Sequence, residues 1–571
     1  MMTRAWLIGL CFGLVLTGCA PGASTPRGQE SVPGTGTAAP KTLRVVIQAA
    51  GEPTDGIIVF AGSGSRAVEH YLAFHAGLTV YDSRGGILPR LAQKVPSVDE
   101  GDWRVLSDGA MEVTWKLRPE ARWHDGAPLT ADDFVLGLQV ISDAAMPLRR
   151  PPSSNFISEA RAVDPNTLVV SWKQPYMLAN FASPEDLPAL PRHIVGDLYG
   201  RGDSQAFANS LYWTREFVGL GPYRIGSWEL GSHLEALAFD HYVLGRPKID
   251  RVVIQYIGDV NAVVATLLAG DADMVPASGG LDPPQMVPVK NAWEQSGAGT
   301  AMAIPRGIRN IHLQRRDGNA PWARDIRVRQ ALVHMLDRND LMETLQSGIG
   351  APAHTFVTLE DPVYALLEQR GLAKYQYDRT QADRLMSEAG LTRGADGVYQ
   401  VAGGQRLTMD VAVTGRGDNP KEAEAVSGIW SAAGIAARPS IIPPNATNVD
   451  ELKNTFQGAF IWPWNISPDI SQQLTNGDIP SERTRWKGGN YGGYSNPAYD
   501  RLYEQYATTL DITRRNVVYA DLMKVLADDV GSIPMYYTTS PLMFRKGVRG
   551  PGIVPAIQPA NSWNMHEWEM D

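Results

Sequence analysis

Apolar and polar residues alternate from residue 111 to 118. Met111, Val113, Trp115 and Leu117 stand against Glu112, Thr114, Lys116 and Arg118. A period of two is that of a strand with one buried face. Asp125-Gly126 follows as a tight-turn pair, since glycine tolerates positive φ. Thr130 then reads as a helix N-cap, with Asp133 three residues on in the position of a capping box. The pattern predicts strand, turn and capped helix in one short stretch, with no group poised for chemistry.

The same reading extends along the chain. Residues 43–47, 168–172 and 249–257 are apolar runs of strand length. Residues 260–269 read as a helix closed by Gly270, and 272–275 start the next strand, a βαβ-like unit. Residues 187–194, with the apolar-Pro steps Leu187-Pro188 and Leu190-Pro191, read as irregular. Residues 325–347 predict one long helix carrying Leu332, Met335, Leu336, Leu341 and Leu345 and stopped by Gly348. Asn496-Pro497 suits a helix start, with Leu502, Tyr503, Tyr506 and Leu510 as its apolar stripe. A further helix is expected over 512–529 and a closing strand over 533–537. No internal repeat stands out. Strands mixed with helices predict an α/β fold, and 571 residues predict two or three lobes rather than one small domain.

Hydrophobic residues make up 44% and charged residues 20%, a globular balance. A net charge of −9 argues against a nucleic-acid partner, which needs clustered Lys and Arg. The N-terminus has Arg4 ahead of an apolar run over 5–16, too short for a membrane span and suited to a signal peptide. Leu16-Thr17-Gly18-Cys19 resembles a bacterial lipobox, which implies cleavage before Cys19 and lipid on its sulfur. The chain has two cysteines, Cys11 and Cys19, so no disulfide is expected after processing. Residues 20–40, rich in Gly, Pro, Ser and Thr, read as a flexible tether.

Catalytic motifs are missing: there is no G-x-S-x-G, H-E-x-x-H, C-x-x-C or Walker loop. His70 and His75, five apart, do not share a helical face and read as interfacial. Asp271 and Asp273 beside Gly270 lack the ligand number of a calcium loop and read as a solvated turn. Residues 34–39 and 62–67 match a glycine-rich nucleotide loop only loosely and read as loops. No enzyme activity and no cofactor or metal are expected.

Several stretches together resemble the extracellular solute-binding proteins of family 5, the peptide-type receptors of ABC importers. They are Leu117-Arg118, Trp123-His124-Asp125-Gly126, residues 129–133, the GLGPY of 219–223, Gly270 to Asp273, residues 327–332 and residues 533–537. The resemblance covers nearly all of residues 43–571. It implies a two-lobe α/β fold with an extra subdomain: a signal peptide at 1–18, a tether at 19–40, lobe I from 41–75, 210–300 and 536–571, the subdomain at 76–209, and lobe II at 301–535. It also implies capture of a small peptide or similar solute between the lobes and delivery to the permease and ATPase subunits of an importer, by a monomer held to the membrane through its lipid.

Residues 460–469 have the most unusual composition, with Trp462 and Trp464 around Pro463 and polar Asn465, Ser467 and Asp469 interleaved; Trp486, Tyr491 and Tyr494 follow. Aromatic walls offer apolar area with a polar edge. The resemblance places the ligand-gripping segment here. Aligning Pro468-Asp469 with the family's terminal Pro-Asp puts Trp464 where peptide-binding relatives carry the carboxylate for the peptide's α-ammonium. Either Asp469 or Glu52 supplies that charge, or the ligand is a non-peptide such as an oligosaccharide, a metal chelate or an opine. The expected ligand-binding residues are Glu52, Trp462, Trp464, Asn465, Asp469 and Tyr491.

Overall fold

The computed structural model describes residues 39–48, 72–146, 148, 151–229, 232–467, 470–554, 557 and 560–571, and residues 41–571 form one unit. The lipobox, most of the tether, His70, Glu52 and Asp469 lie outside the described residues.

The elements that position the site follow in chain order: β1 (Thr42–Gln48), β2 (Trp103–Val105), β3 (Met111–Lys116), α1 (Ala131–Ser142), β4 (Ile157–Asp164), β5 (Thr167–Trp172), β6 (Tyr223–Glu229), β7 (His233–Ala238), β8 (Arg251–Ile257), α2 (Val260–Ala269), β9 (Met274–Val275), α3 (Pro283–Ser296), β10 (Gly299–Leu313), α4 (Ile326–His334), α5 (Arg338–Gln346), β11 (Thr408–Thr414), α6 (Asn419–Ala432), β12 (Ala436–Ile442), β13 (Gly458–Asn465), α7 (Pro497–Thr508), α8 (Ile512–Asp528) and β14 (Ile533–Arg545).

Among the described residues, eleven strands form one mixed sheet. Its order is β12-β11-β13-β10-β14-β9-β1-β8-β7-β6, with residues 351–352 pairing on β14. β1 runs parallel to β8 and β9, and β11 runs parallel to β12 and β13. The two parallel blocks are joined by the long antiparallel pair β10 and β14, of 15 and 13 residues, at the centre of the sheet, β10 pairing with β13 and β14 with β9. A separate four-stranded antiparallel sheet, β2-β3-β5-β4, carries α1.

The alternation of β3 is realised: Met111, Val113 and Trp115 are at most 1% exposed, in a core with Leu168, Val170 and Phe134. The capping box forms, with the Thr130 N–H donating to Asp133 at 2.9 Å. Asp133 does more than cap. Its carboxylate also accepts from the Arg192 N–H at 2.9 Å and the Trp123 indole at 3.3 Å, tying α1 to the loops around it. Burial pushes this carboxyl up, against the pull of those donors.

GLGPY has a steric reason. A Cβ on Gly221 would lie 2.5 Å from the Ala73 carbonyl oxygen, so only glycine lets this strand press on residues 73–75. The seam beside it is polar. Gly219 donates to His124 Nδ1 at 3.1 Å, His124 Nε2 donates to the Gly221 carbonyl at 3.0 Å, and Leu220 donates to His75 Nδ1 at 3.3 Å.

Two expectations are corrected. The helix expected over 325–347 is two helices, α4 and α5. Asp337 interrupts it, its side chain accepting from the Asn339 and Asp340 N–H groups as the N-cap of α5. The break turns Arg338 inward, where its guanidinium donates to the Pro534 and Tyr375 carbonyls at 2.9 Å each. The Asp271–Asp273 pair is not a solvated turn throughout. Asp273 is 6% exposed and receives Arg44 Nη2 at 2.7 Å and Nε at 3.0 Å, clamping β9 to β1.

Candidate functional site

In open α/β sheets, ligands bind outside the carboxyl ends of parallel strands, where the connections diverge. Both parallel blocks of this sheet have such an end. After β9 the chain runs through residues 276–282 into α3, and the end of β1 is held against this loop by the Gln48 N–H donating to the Gly279 carbonyl at 2.7 Å. After β11 it runs through residues 415–418 into α6. Both helices are 14 residues long, and both open on an aspartate: Asp282 before α3, Asp418 before α6.

These two acids follow strands on either side of the central pair β10 and β14, and the charge of one is felt by the other. The Asp282 carboxyl is pushed up by burial first and by the negative charge of Asp418 second, with Arg309 pulling it down. Both side chains stay open to solvent. Asp418 also pairs with Lys421 at 2.8 Å.

Beneath the start of α6 lies a buried ion pair. Arg309 of β10 is 8% exposed and Glu422 of α6 3%. Arg309 Nε donates to Glu422 Oε1 at 3.0 Å and its Nη2 meets Oε2; Nη2 also donates to Asn419 Oδ1 at 3.1 Å. The Tyr536 hydroxyl of β14 donates to Glu422 at 2.8 Å. Burial works against the guanidinium charge, and Glu422 and Tyr536 more than offset it, holding Arg309 above its ordinary value. With its donors engaged, the pair bolts the start of α6 to β10 and β14 and so fixes Asp418.

An aromatic wall rises on β13. Phe460, Trp462 and Trp464 lie two apart and so share a face, opposite His312, Asn310 and Ile308 of β10. Trp462 stacks on Phe460 with centroids 5.6 Å apart, and Tyr491 lies 5.5 Å from Trp462 and 5.3 Å from Phe460. Trp464 meets His312 edge-on at 4.9 Å and Phe356 at 5.2 Å. Trp464 is 4% exposed, and its indole N–H has no hydrogen-bond partner; His312, 2% exposed, leaves Nε2 equally unpaired. Burial pushes His312 down to about 3, so it is neutral at pH 7.

The structure therefore brings Trp462, Trp464 and Tyr491 together, with Trp462 and Tyr491 half-buried and Trp464 inside. Asn465, next along the strand, is exposed and faces away from Trp464. Asp282, Asp418, Arg309 and His312 escaped the sequence reading. A signal existed for the two acids: Asp282-Pro283 and Asp418-Asn419-Pro420 are helix starts directly after apolar strands. Among the described residues no group of His, Cys, Asp and Glu could hold a metal ion, and no helix is long and apolar enough to cross a membrane.

Two parallel blocks joined by β10 and β14, each with loops leaving its carboxyl end, make up a two-lobe α/β fold. The sequence profile of the bacterial extracellular solute-binding proteins, family 5 Middle, matches residues 87–481, and the chain belongs to this family. The oligopeptide-binding protein AppA of Bacillus subtilis is 24% identical over 536 residues, covering 92% of this chain and 91% of that one. Among solved structures, the oligopeptide-binding protein of Thermus thermophilus complexed with a pentapeptide superposes with a TM-score of 0.70 at 20% identity, covering 93% of this chain and 96% of that one. NikZ of Campylobacter jejuni in complex with Ni(L-His) gives 0.71 at 19% identity, covering 93% and 100%. The family consists of exported solute-binding receptors rather than enzymes.

Proposed function

We propose that this protein captures peptides or similar small solutes in the groove between Asp282 and Asp418 and hands them to the permease of an ABC importer, without catalysing a reaction. The reading rests on the family match, and the site on two exposed aspartates at helix starts that follow parallel strands on either side of β10 and β14. Lobe I is residues 41–75, 210–300 and 536–571, the subdomain 76–209 and lobe II 301–535. The apolar core around α4, α6 and β11 stands apart and supports lobe II, whereas the core around β1 and β8 also takes in Leu136, Val140 and Phe207 and joins lobe I to the subdomain. Ligand that touches both lobes only when they close shifts the population toward the closed form. The monomer is tethered to the membrane through lipid on Cys19.

Asp282 and Asp418 add to Glu52 and Asp469 as carboxylates able to neutralise a ligand's ammonium, which favours a free-amine peptide. A second reading, a neutral solute or a metal chelate, draws on Trp464 and His312, whose unpaired ring nitrogens suit neutral partners. Thermal-shift assays with pentapeptides, N-acetylated pentapeptides and Ni(L-His) separate the two. The first reading predicts stabilisation by free-amine peptides that acetylation abolishes. Stabilisation by Ni(L-His) alone would contradict it.

A further inference from the structure

Opening of the groove swings lobe II away from lobe I about β10 and β14, and the subdomain must move with one of them. Its attachment to lobe I is extensive. His124 is bonded to Gly219 and Gly221 across the seam, and Arg90 Nη1 donates to the Tyr242 hydroxyl at 2.7 Å. The subdomain therefore travels with lobe I.

It nevertheless reaches lobe II through one loop, residues 173–182. The Met177 N–H donates to the Ala507 carbonyl at the end of α7 at 3.0 Å. Arg515 Nη1, from α8, donates to the Met177 carbonyl at 3.2 Å and to the Thr509 carbonyl at 3.5 Å. The Met177 side chain is 2% exposed and belongs to the lobe II core that holds Tyr506, Tyr519 and Phe356. Leu178 packs against that core and the subdomain's own, and Leu510 of lobe II packs against the subdomain core. The loop is braced from behind: Tyr176 stacks on Phe156 at 4.9 Å and on Trp172 at 5.2 Å, and Phe181 on Tyr81 at 4.0 Å.

We infer that the subdomain is a closing clamp, and that Met177, seated in the lobe II core and pinned at both ends of its peptide unit by Ala507 and Arg515, is its latch. An opening motion that parts the subdomain from lobe II must pull this side chain out of an apolar core and break both hydrogen bonds. The core that seats Met177 also holds Phe356 and Trp464, so the latch ties the subdomain to the back of the aromatic wall and biases the open–closed balance from there. A clamp of this kind lets affinity be tuned from outside the groove.

The inference rests on the closure reading above, and its test separates the two. The full chain, with Cys11→Ser and Cys19→Ser, carries spin labels at Glu120→Cys in the subdomain and Glu504→Cys on α7, both exposed positions. Distances are measured without ligand in the parent, in Met177→Ala and in Arg515→Gln. Both substitutions should enlarge the long-distance population at least threefold while circular dichroism stays unchanged. A long-distance population in the parent that neither variant enlarges overturns the latch and leaves closure standing. Short distances alone in parent and variants overturn both. In unlabelled protein with the same two Ser substitutions, Met177→Cys with Ala507→Cys should form a disulfide under mild oxidation and hold the radius of gyration at its smallest value. Failure of the crosslink to form also overturns the latch.

Discussion

Changing Glu422 to Gln tests the buried ion pair beneath the start of α6. Arg309 is 8% exposed and would keep its charge with only neutral acceptors, the new amide oxygen and Asn419 Oδ1. Removing one partner of a buried pair costs about 3–5 kcal/mol. The retained acceptors place Glu422→Gln near the lower end of that range. Tyr536 trades a charged acceptor for a neutral one, which adds about 1 kcal/mol. The sum is roughly 3–4 kcal/mol, read as a shift in the urea midpoint. Replacing both partners, Arg309→Met with Glu422→Leu, removes the uncompensated charge and should stay within about 2 kcal/mol of the parent, most of it from the orphaned Tyr536 hydroxyl. The reasoning is refuted if Glu422→Gln costs under about 1 kcal/mol, or if the double variant is less stable than the single.

Acid should destabilise the protein through its buried histidines. His75 and His312 are held neutral by burial, each pushed down to about 3. The unfolded chain takes up their protons first, so their contribution is intact above the unfolded value of about 6.5 and is lost as pH falls toward 3. Each should cost about 2–3 kcal/mol by pH 4.5, checked by urea melts of His312→Phe against the parent across pH 4–7. Trp464→Phe deletes an unpaired buried N–H but also one of the two fused rings, so the two effects offset and stability should stay within about 1 kcal/mol, whereas Trp464→Ala should cost about 3–5 kcal/mol; thermal denaturation distinguishes them. Asp282→Asn combined with Asp418→Asn should weaken a free-amine pentapeptide on the order of 10–100-fold by calorimetry. Gly221→Ala should destabilise the seam by more than about 2 kcal/mol, because the Ala73 backbone would have to move; limited proteolysis would report it.

Local order was legible where one residue's chemistry decides it. Thr130 and Asp133 cap α1, Gly270 closes α2, and Asn496 caps α7 with its side chain accepting from Ala498 and Tyr499. The break at Asp337 was hidden by an apolar period that continues through Leu336 and Leu341; the tertiary need to bury Arg338 overrides it. The aromatic wall could be seen because tryptophans two apart share a strand face. Asp282 and Asp418 could not be paired from sequence. They are 136 positions apart by number, and only the fold lets the charge of one be felt by the other. Arg309, Glu422 and Tyr536 are equally scattered, and each is unremarkable alone.

The most direct measurement is a crystal structure of the protein as purified from its exported fraction, with the solute identified by mass spectrometry of the same sample. The account predicts a small solute lying between the loops 276–282 and 415–418, in contact with the starts of α3 and α6 and covered by both lobes. A solute bound elsewhere, with Asp282 and Asp418 free of it, would contradict the account.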